Sequence, residues 1–176
     1  MVSKQTRKLN SPTKSRECRI GVDLGGTKTE IILINAQGDE LYKRRVPSPV
    51  GNYEATVKNI INLVSDLEQE FGQSCPVGIG IPGCISPQTG LVKGANSTWL
   101  IGKPLQDDLS KALEREVRID NDANCFALSE SHALSLRPDL PHKLRDSSVP
   151  PSALSVFGVI LGTGVGGGLV HAGELV

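Results

Sequence analysis

The stretch from Cys18 to Asn35, "CRIGVDLGGTKTEIILIN", holds two apolar runs parted only by Gly25, Gly26 and Thr27. A parallel return needs a crossover of about a dozen residues, so a gap this short admits only an antiparallel hairpin. The "AQGD" turn signal leads into "ELYKRRVPSP", and a meander of three antiparallel strands is the expectation. The apolar period then changes from two to 3.6. "YEATVKNIINLVSDLEQEF" sets Val57, Ile60, Ile61, Val64, Leu67 and Phe71 on one helical face, with Gly72 following as a cap. "PVGIGIPG" reads as a short buried strand, and "PLQDDLSKALERE" as a helix opened by Pro104 with Leu105, Leu109, Ala112 and Leu113 inward. "VRID" is a strand, and "NDANCFALSESHALSL" runs from it directly into a helix. The order β-β-β-α-β-α-β-α predicts an α/β fold, a mixed sheet with helices on both faces.

Residues 138–152, "PDLPHKLRDSSVPPS", are rich in proline, serine and charge and read as a linker or surface insertion. Beyond them "ALSVFGVIL" and "GGGLVHAGELV" form a strand pair around "GTGVGGG". The expected organisation is a basic flexible tail at 1–17, a first lobe at 18–137, the linker, and the start of a second, incomplete lobe at 153–176. A lone hairpin is marginal in water, hence the expectation of a lobe only begun.

Nineteen basic residues balance nineteen acidic ones, so no global field recruits nucleic acid or a membrane surface, and a small molecule is the expected partner. Without an apolar leader or spanning stretch, the expected location is the cytoplasm. Cys18, Cys75, Cys84 and Cys125 are scattered, lack C-x-x-C spacing and read as reduced, partly buried thiols.

Three glycine-rich stretches compete for a phosphate-binding role, and none has P-loop spacing. "GIGIPG" and "GTGVGG" match G-x-G-x-x-G by letter, but Pro82 and Pro87 forbid the helix that a dinucleotide site requires after the first, and little chain follows the second. The hairpin turn of Gly25, Gly26 and Thr27 is different. It offers successive backbone N–H groups with no side chain at two of its three positions, a nest that suits a phosphate. Asp23, one pleat upstream, makes sense beside phosphates with a divalent cation between them, and a facing "GTGVGGG" hairpin could hold a triphosphate from the other side. In "IDNDANC" a strand gives way to a helix, and an acid at a helix N-terminus stays ionised. The same letters fail as a calcium loop, with Cys125 where glycine is needed and Ser131 where glutamate is needed.

"GVDLGGTKTE", "GIGIPGCISPQTGLVKGANSTW", "VRIDNDANCFALSE" and "VFGVILGTGVGGGLV" together resemble the phosphate, sugar, catalytic and second phosphate segments of ROK-family sugar kinases, in order over residues 18–170. "GANSTWLIGKPL" with "NDANCFALSE" is most similar to the bacterial fructokinase and mannofructokinase branch. The resemblance implies an actin-like (RNase H-like) ATPase lobe and transfer of the ATP γ-phosphate to a hexose hydroxyl, usually on carbon 6, with fructose as the leading acceptor. It implies Asp122 as the base, Asn96 and Asn121 as sugar binders, and Asp23 as the acid near magnesium, directly or through water. Gly25, Gly26, Thr27, Gly162, Thr163 and Gly164 would form the phosphate cradle, with Lys28 matching the motif beside it. It further implies ATP and Mg2+ as cofactors and a homodimer at full length. Members also have a structural zinc whose ligands would lie downstream of residue 176, so this chain would cover a little over half of a typical member. The alternatives left open are a truncated, non-catalytic sugar- or phosphate-binding fragment and, within the family, a glucokinase or N-acetylhexosamine kinase. A transcriptional regulator of the same family ranks third, since the basic tail is too short for a helix-turn-helix.

Overall fold

The computed structural model describes residues 17–136, 155–161 and 165–176. Strands β1 (Cys18–Leu24), β2 (Lys28–Asn35) and β3 (Glu40–Pro47) form the expected antiparallel meander. Helix α1 (Tyr53–Phe71) follows, then β4 (Val77–Ile81), a small hairpin of β5 (Cys84–Ile85) and β6 (Val92–Lys93), and α2 (Leu105–Ala112). Strand β7 (Val117–Asn121) passes without a break into α3 (Asp122–Leu136), and β8 (Ser155–Leu161), β9 (Val165–His171) and β10 (Glu174–Leu175) complete the described chain. The main sheet has the order β3-β2-β1-β4-β7, antiparallel on the β3 side and parallel from β1 through β4 to β7. It is the mixed sheet of the predicted α/β lobe. The basic tail through Arg16 and the 138–152 segment lie outside the described residues.

The core is one cluster between the main sheet and α1 and α2. Alternation along β1 buries Cys18, Ile20, Val22 and Leu24, and parallel β4 adds Val77, Ile79 and Ile81 on the same side. From α1 the buried stripe is Tyr53, Thr56, Ile60, Leu63, Val64 and Leu67, while Val57, Ile61 and Phe71 pack at its margin. The stripe is thus turned slightly from the expected face. Thr56 can sit inside because its hydroxyl donates to the Asn52 carbonyl at 2.8 Å and accepts from Trp99 Nε1 at 3.2 Å. Gly72 ends α1 at φ 79°, as the sequence predicts, and Asn52 caps its start through the Ala55 N–H at 2.8 Å. Helix α2 is shorter than its pattern, because the chain reverses at Glu114, whose φ is 53°.

The cysteines require a correction. Cys18 and Cys75 are joined by a disulfide, with Cα atoms 5.6 Å apart, and only Cys84 and Cys125 are free. The cause is the parallel register: Ile20 lies opposite Val77, so the residues two positions earlier on each chain also face each other. A separation of 57 residues hides this from spacing arguments.

The second sheet, in the order β10-β9-β8, has one strand more than the expected pair, and α3 lies across it. Glycines make the approach possible. A Cβ on Gly158 would lie 2.9 Å from Ala127 Cα, and one on Gly168 would lie 2.5 Å from the Ala123 carbonyl oxygen and 2.8 Å from Asn124 Cα. The opposite face is apolar and open, with Phe157 68%, Leu161 79% and Val165 80% exposed.

Gly168→Ala should therefore destabilise the chain by about 1–3 kcal/mol, because the added methyl meets helix backbone that cannot yield. Gly78→Ala, on a strand where a Cβ meets nothing within 4 Å, should be neutral or stabilising by up to about 1 kcal/mol. Urea-unfolding midpoints of the two variants check the contrast.

Candidate active site

The parallel strands β1, β4 and β7 deliver their C-terminal ends to one edge of the main sheet. In register, Asp23 stands opposite Gly80 and Gly80 opposite Asp120, so Asp23 and the β7–α3 junction flank a strand position without side-chain bulk. A Cβ on Gly80 would already touch Asp122 Cα and Cys125 Sγ, each at 3.7 Å. The second glycine of the pair, Gly83, is held by packing, since a Cβ there would come within 2.9 Å of the Ala95 Cβ and the Lys93 carbonyl oxygen. That close fit sets the position of Asn96, whose N–H donates to the Pro82 carbonyl at 3.1 Å and whose side chain is exposed.

The Gly25–Gly26–Thr27 turn is clamped from the end of β3. Gly25 N–H donates to the Lys28 carbonyl at 2.9 Å, closing the hairpin, and a Cβ on Gly25 would sit 2.9 Å from that same oxygen. The Ser48 hydroxyl donates to the Gly25 carbonyl at 2.9 Å, the Ser48 N–H donates to the Thr27 carbonyl at 2.9 Å, and buried Thr29 Oγ1 lies 2.8 Å from Ser48 Oγ. With its carbonyls tied back, the turn keeps the N–H groups of Gly26 and Thr27 without a partner among the described residues. Lys28 opens β2 and is exposed. Ser48 and Thr29 were not singled out by the sequence. The polar pair carries no motif, and only the pairing of Thr29 with Val46, two residues ahead of Ser48, brings it to the turn.

Asp122 is the first residue of α3 and half-buried. The helix start is organised around it. Asn121 Oδ1 accepts from the Ala123 N–H at 3.0 Å, and Asn121 Nδ2 donates to the Gly83 carbonyl at 3.0 Å. Asp120 Oδ1 accepts from the Asn121 N–H at 2.6 Å and from Asn124 Nδ2 at 2.9 Å. Asn121 thus caps the helix and ties β7 to the β4–β5 loop, which leaves one amide hydrogen for any ligand. Asp122 Oδ1 also accepts from the Ala123 N–H at 2.8 Å, which holds it in the positive end of the helix.

Asp23 has its carboxyl pushed above the usual range, first by burial and then by the charges of Asp122 and Glu30, with Arg45 acting against them. Glu30 is held below its usual value, first by the hydrogen bond from Lys43 and further by Arg45, with Lys43 Nζ at 2.9 Å and Arg45 Nη2 at 2.6 Å. The Cys125 thiol is pushed up to about 11 by burial and by Asp120 and Asp122, so it is a neutral thiol at physiological pH and no nucleophile. Among the described residues no three His, Cys, Asp or Glu side chains could hold a metal by themselves. An acid crowded by like charge still gains from a cation, and magnesium is commonly held by one or two carboxylates together with substrate phosphates. The residues present fit that mode. Gly162, Thr163 and Gly164 lie outside the described residues.

The glycine turn, Asp23 and the helix-start Asp122 thus meet at one edge of the mixed sheet of an actin-like lobe. The chain matches the ROK family over residues 19–138 and belongs to it. It is 41% identical over 155 residues to the N-acetyl-D-glucosamine kinase of Haemophilus influenzae, a match covering 88% of this chain and 46% of that protein. It therefore spans about half the length of the curated relatives it matches. Among solved structures, an inorganic polyphosphate/ATP-glucomannokinase from Arthrobacter superposes with a TM-score of 0.69 at 27% identity, covering 90% of this chain and 60% of that one. A ROK family glucokinase from Streptomyces griseus, in complex with glucose and AMPPNP, gives a TM-score of 0.68 at 26% identity, covering 90% and 46%. No helix among the described residues is long and apolar enough to cross a membrane.

The raised Asp23 acid has a consequence for stability. A carboxyl that binds its proton more tightly when folded adds stability below its unfolded pKa of 3.8 and loses it as pH rises through the higher folded value. With divalent cations chelated, Asp23→Asn should melt above the wild type at pH 7, and the gap should close as pH falls towards about 4. Melting temperatures across that range test it; a wild type that melts above the variant at pH 7 contradicts the crowding.

Proposed function

We propose that the chain is the sugar-binding and catalytic lobe of an ATP-dependent hexose kinase. The observation that carries this reading is the placement of Asp122, at the start of α3, across the Gly80 gap from Asp23 and the Gly25–Thr27 turn. Asn96 and the remaining amide hydrogen of Asn121 orient the sugar, and Asp122 takes the proton of the attacking hydroxyl. The N–H groups of Gly26 and Thr27 hold phosphate oxygens, and Lys28 stands beside them. Magnesium, held at Asp23, would neutralise charge on the phosphates. A loose phosphoryl-transfer transition state needs alignment and charge neutralisation more than a strong base, which suits a carboxylate held in place at a helix start.

For the acceptor, similarity to the N-acetyl-D-glucosamine kinases over 88% of the chain favours that amino sugar, ahead of the fructose suggested by the "GANSTWLIGKPL" motif. The test is a coupled assay of ATP with N-acetyl-D-glucosamine, glucose and fructose. It is run on the chain alone and on the chain joined to the C-terminal half of a matched relative.

In the joined protein, N-acetyl-D-glucosamine should have the highest kcat/KM, and a fructose preference would reverse the assignment. Asp122→Asn should lower kcat by roughly 10²–10⁴-fold with sugar affinity nearly unchanged. An unaltered kcat would move the base elsewhere, with Asp120 next. The chain alone should turn over far below the usual kinase range of about 1–100 s⁻¹, because it spans about half the length of the relatives it matches and closure of two lobes completes such sites.

A further inference from the structure

The two glycines of the turn exist for different reasons. Gly25 is dictated by the hairpin, since a Cβ would press on the Lys28 carbonyl at 2.9 Å. Gly26 has no positive φ, and a Cβ there would meet only Ser97 Oγ, at the ordinary contact distance of 3.5 Å. The fold would accept a side chain at residue 26, so its absence needs another cause. The neighbour is itself unusual. Ser97 is 1% exposed, and its Oγ has no hydrogen-bond partner among the described residues. Buried hydroxyls in folded chains are almost always paired, and one left open beside free N–H groups marks a place for an oxygen that arrives with a ligand.

We propose that Ser97 is a further phosphate-binding residue, whose Oγ donates a hydrogen bond to an oxygen of the nucleotide phosphate held on the Gly26 and Thr27 N–H groups. The inference rests on the reading of this turn as the nucleotide cradle. With no side chain on Gly26, a small turn of the Ser97 side chain would bring its hydroxyl to an oxygen set against the Gly26 peptide. Ser97 directly follows Asn96, so one short segment would hold the sugar through one residue and the phosphate through the next. The donor and acceptor substrates would then be aligned by a single rigid piece, fixed by the Asn96 N–H to Pro82 bond and by the Leu100 N–H to Ser97 carbonyl bond at 3.0 Å.

The test follows amide resonances of the 176-residue chain during titration with magnesium tripolyphosphate, a probe that needs no adenine pocket. In the wild type the Gly26 and Thr27 amides should shift. Ser97→Ala should weaken this binding about tenfold, Ser97→Thr should stay within about twofold, and Ser97→Ala should not lower the melting temperature, since the hydroxyl has no partner before the ligand binds. Wild-type affinity in Ser97→Ala overturns the proposal, and so does a melting temperature several degrees lower, which would make the hydroxyl structural. If the wild-type turn amides do not respond, the proposal and the nucleotide assignment fall together, while a separate titration with N-acetyl-D-glucosamine, read at Asn96, shows whether the sugar half of the site survives.

Discussion

The parallel ladder from β1 through β4 to β7 is the constraint on which the rest depends. Parallel strands end on the same side of a sheet, and ligands in α/β folds gather at those ends because the loops and helix starts there face one another. Here the register sets Asp23, Gly80 and Asp120 in one row, with Asp122 two residues beyond. The glycine in the middle position is what makes the row a site. A Cβ at 80 would already be in ordinary contact with Asp122 and Cys125, so a longer side chain there would fill the space between the two acids.

Local signals made the elements legible. The short Gly25–Thr27 gap could only close an antiparallel hairpin, and the observed pairing of Leu24 with Thr29 is that hairpin. Gly72 announced the end of α1, and the junction in "IDNDANC" announced a strand feeding a helix, because each depends on residues next to one another in the chain. The motifs carried the ROK family in the same way. What stayed hidden depends on register between distant segments. Cys18 and Cys75 meet because two parallel strands start level, and Ser48 reaches the turn because β3 ends beside it. Neither fact has a spacing signature. Asn121 shows a third case: the sequence suggested a sugar binder, while most of its hydrogen-bonding capacity goes to capping α3 and holding Gly83.

Charge is arranged around the site with the same economy of position. Asp23 and Glu30 are cross-strand neighbours, a pairing that is unfavourable between like charges. Glu30 is paired from the next strand with Arg45 and Lys43, yet Asp23 stays raised by its burial and by the charges of Asp122 and Glu30, with Arg45 acting against them. The ion pairs therefore quiet one carboxylate and leave the other in want of a cation. No set of side chains among the described residues could hold a divalent ion alone, so in the proposed function the phosphates would have to complete its shell.

Helix α3 joins these arrangements to the second sheet. Its first residue is Asp122, while its body lies on β8 and β9 through contacts that Gly158 and Gly168 make possible at backbone distance. Close-packed surfaces of this kind move as one body, because a glycine-lined contact has no side chains to deform. The proposed base is therefore carried on the element that both sheets grip. β7 fixes where the helix begins, and the small sheet fixes how it leans. A shift of the small sheet against the main one would be felt at Asp122 before it was felt at Asp23, which belongs to the main sheet alone. The geometry gives Asp23 a mount in the main sheet and gives Asp122, the proposed base, a mount that follows the second sheet.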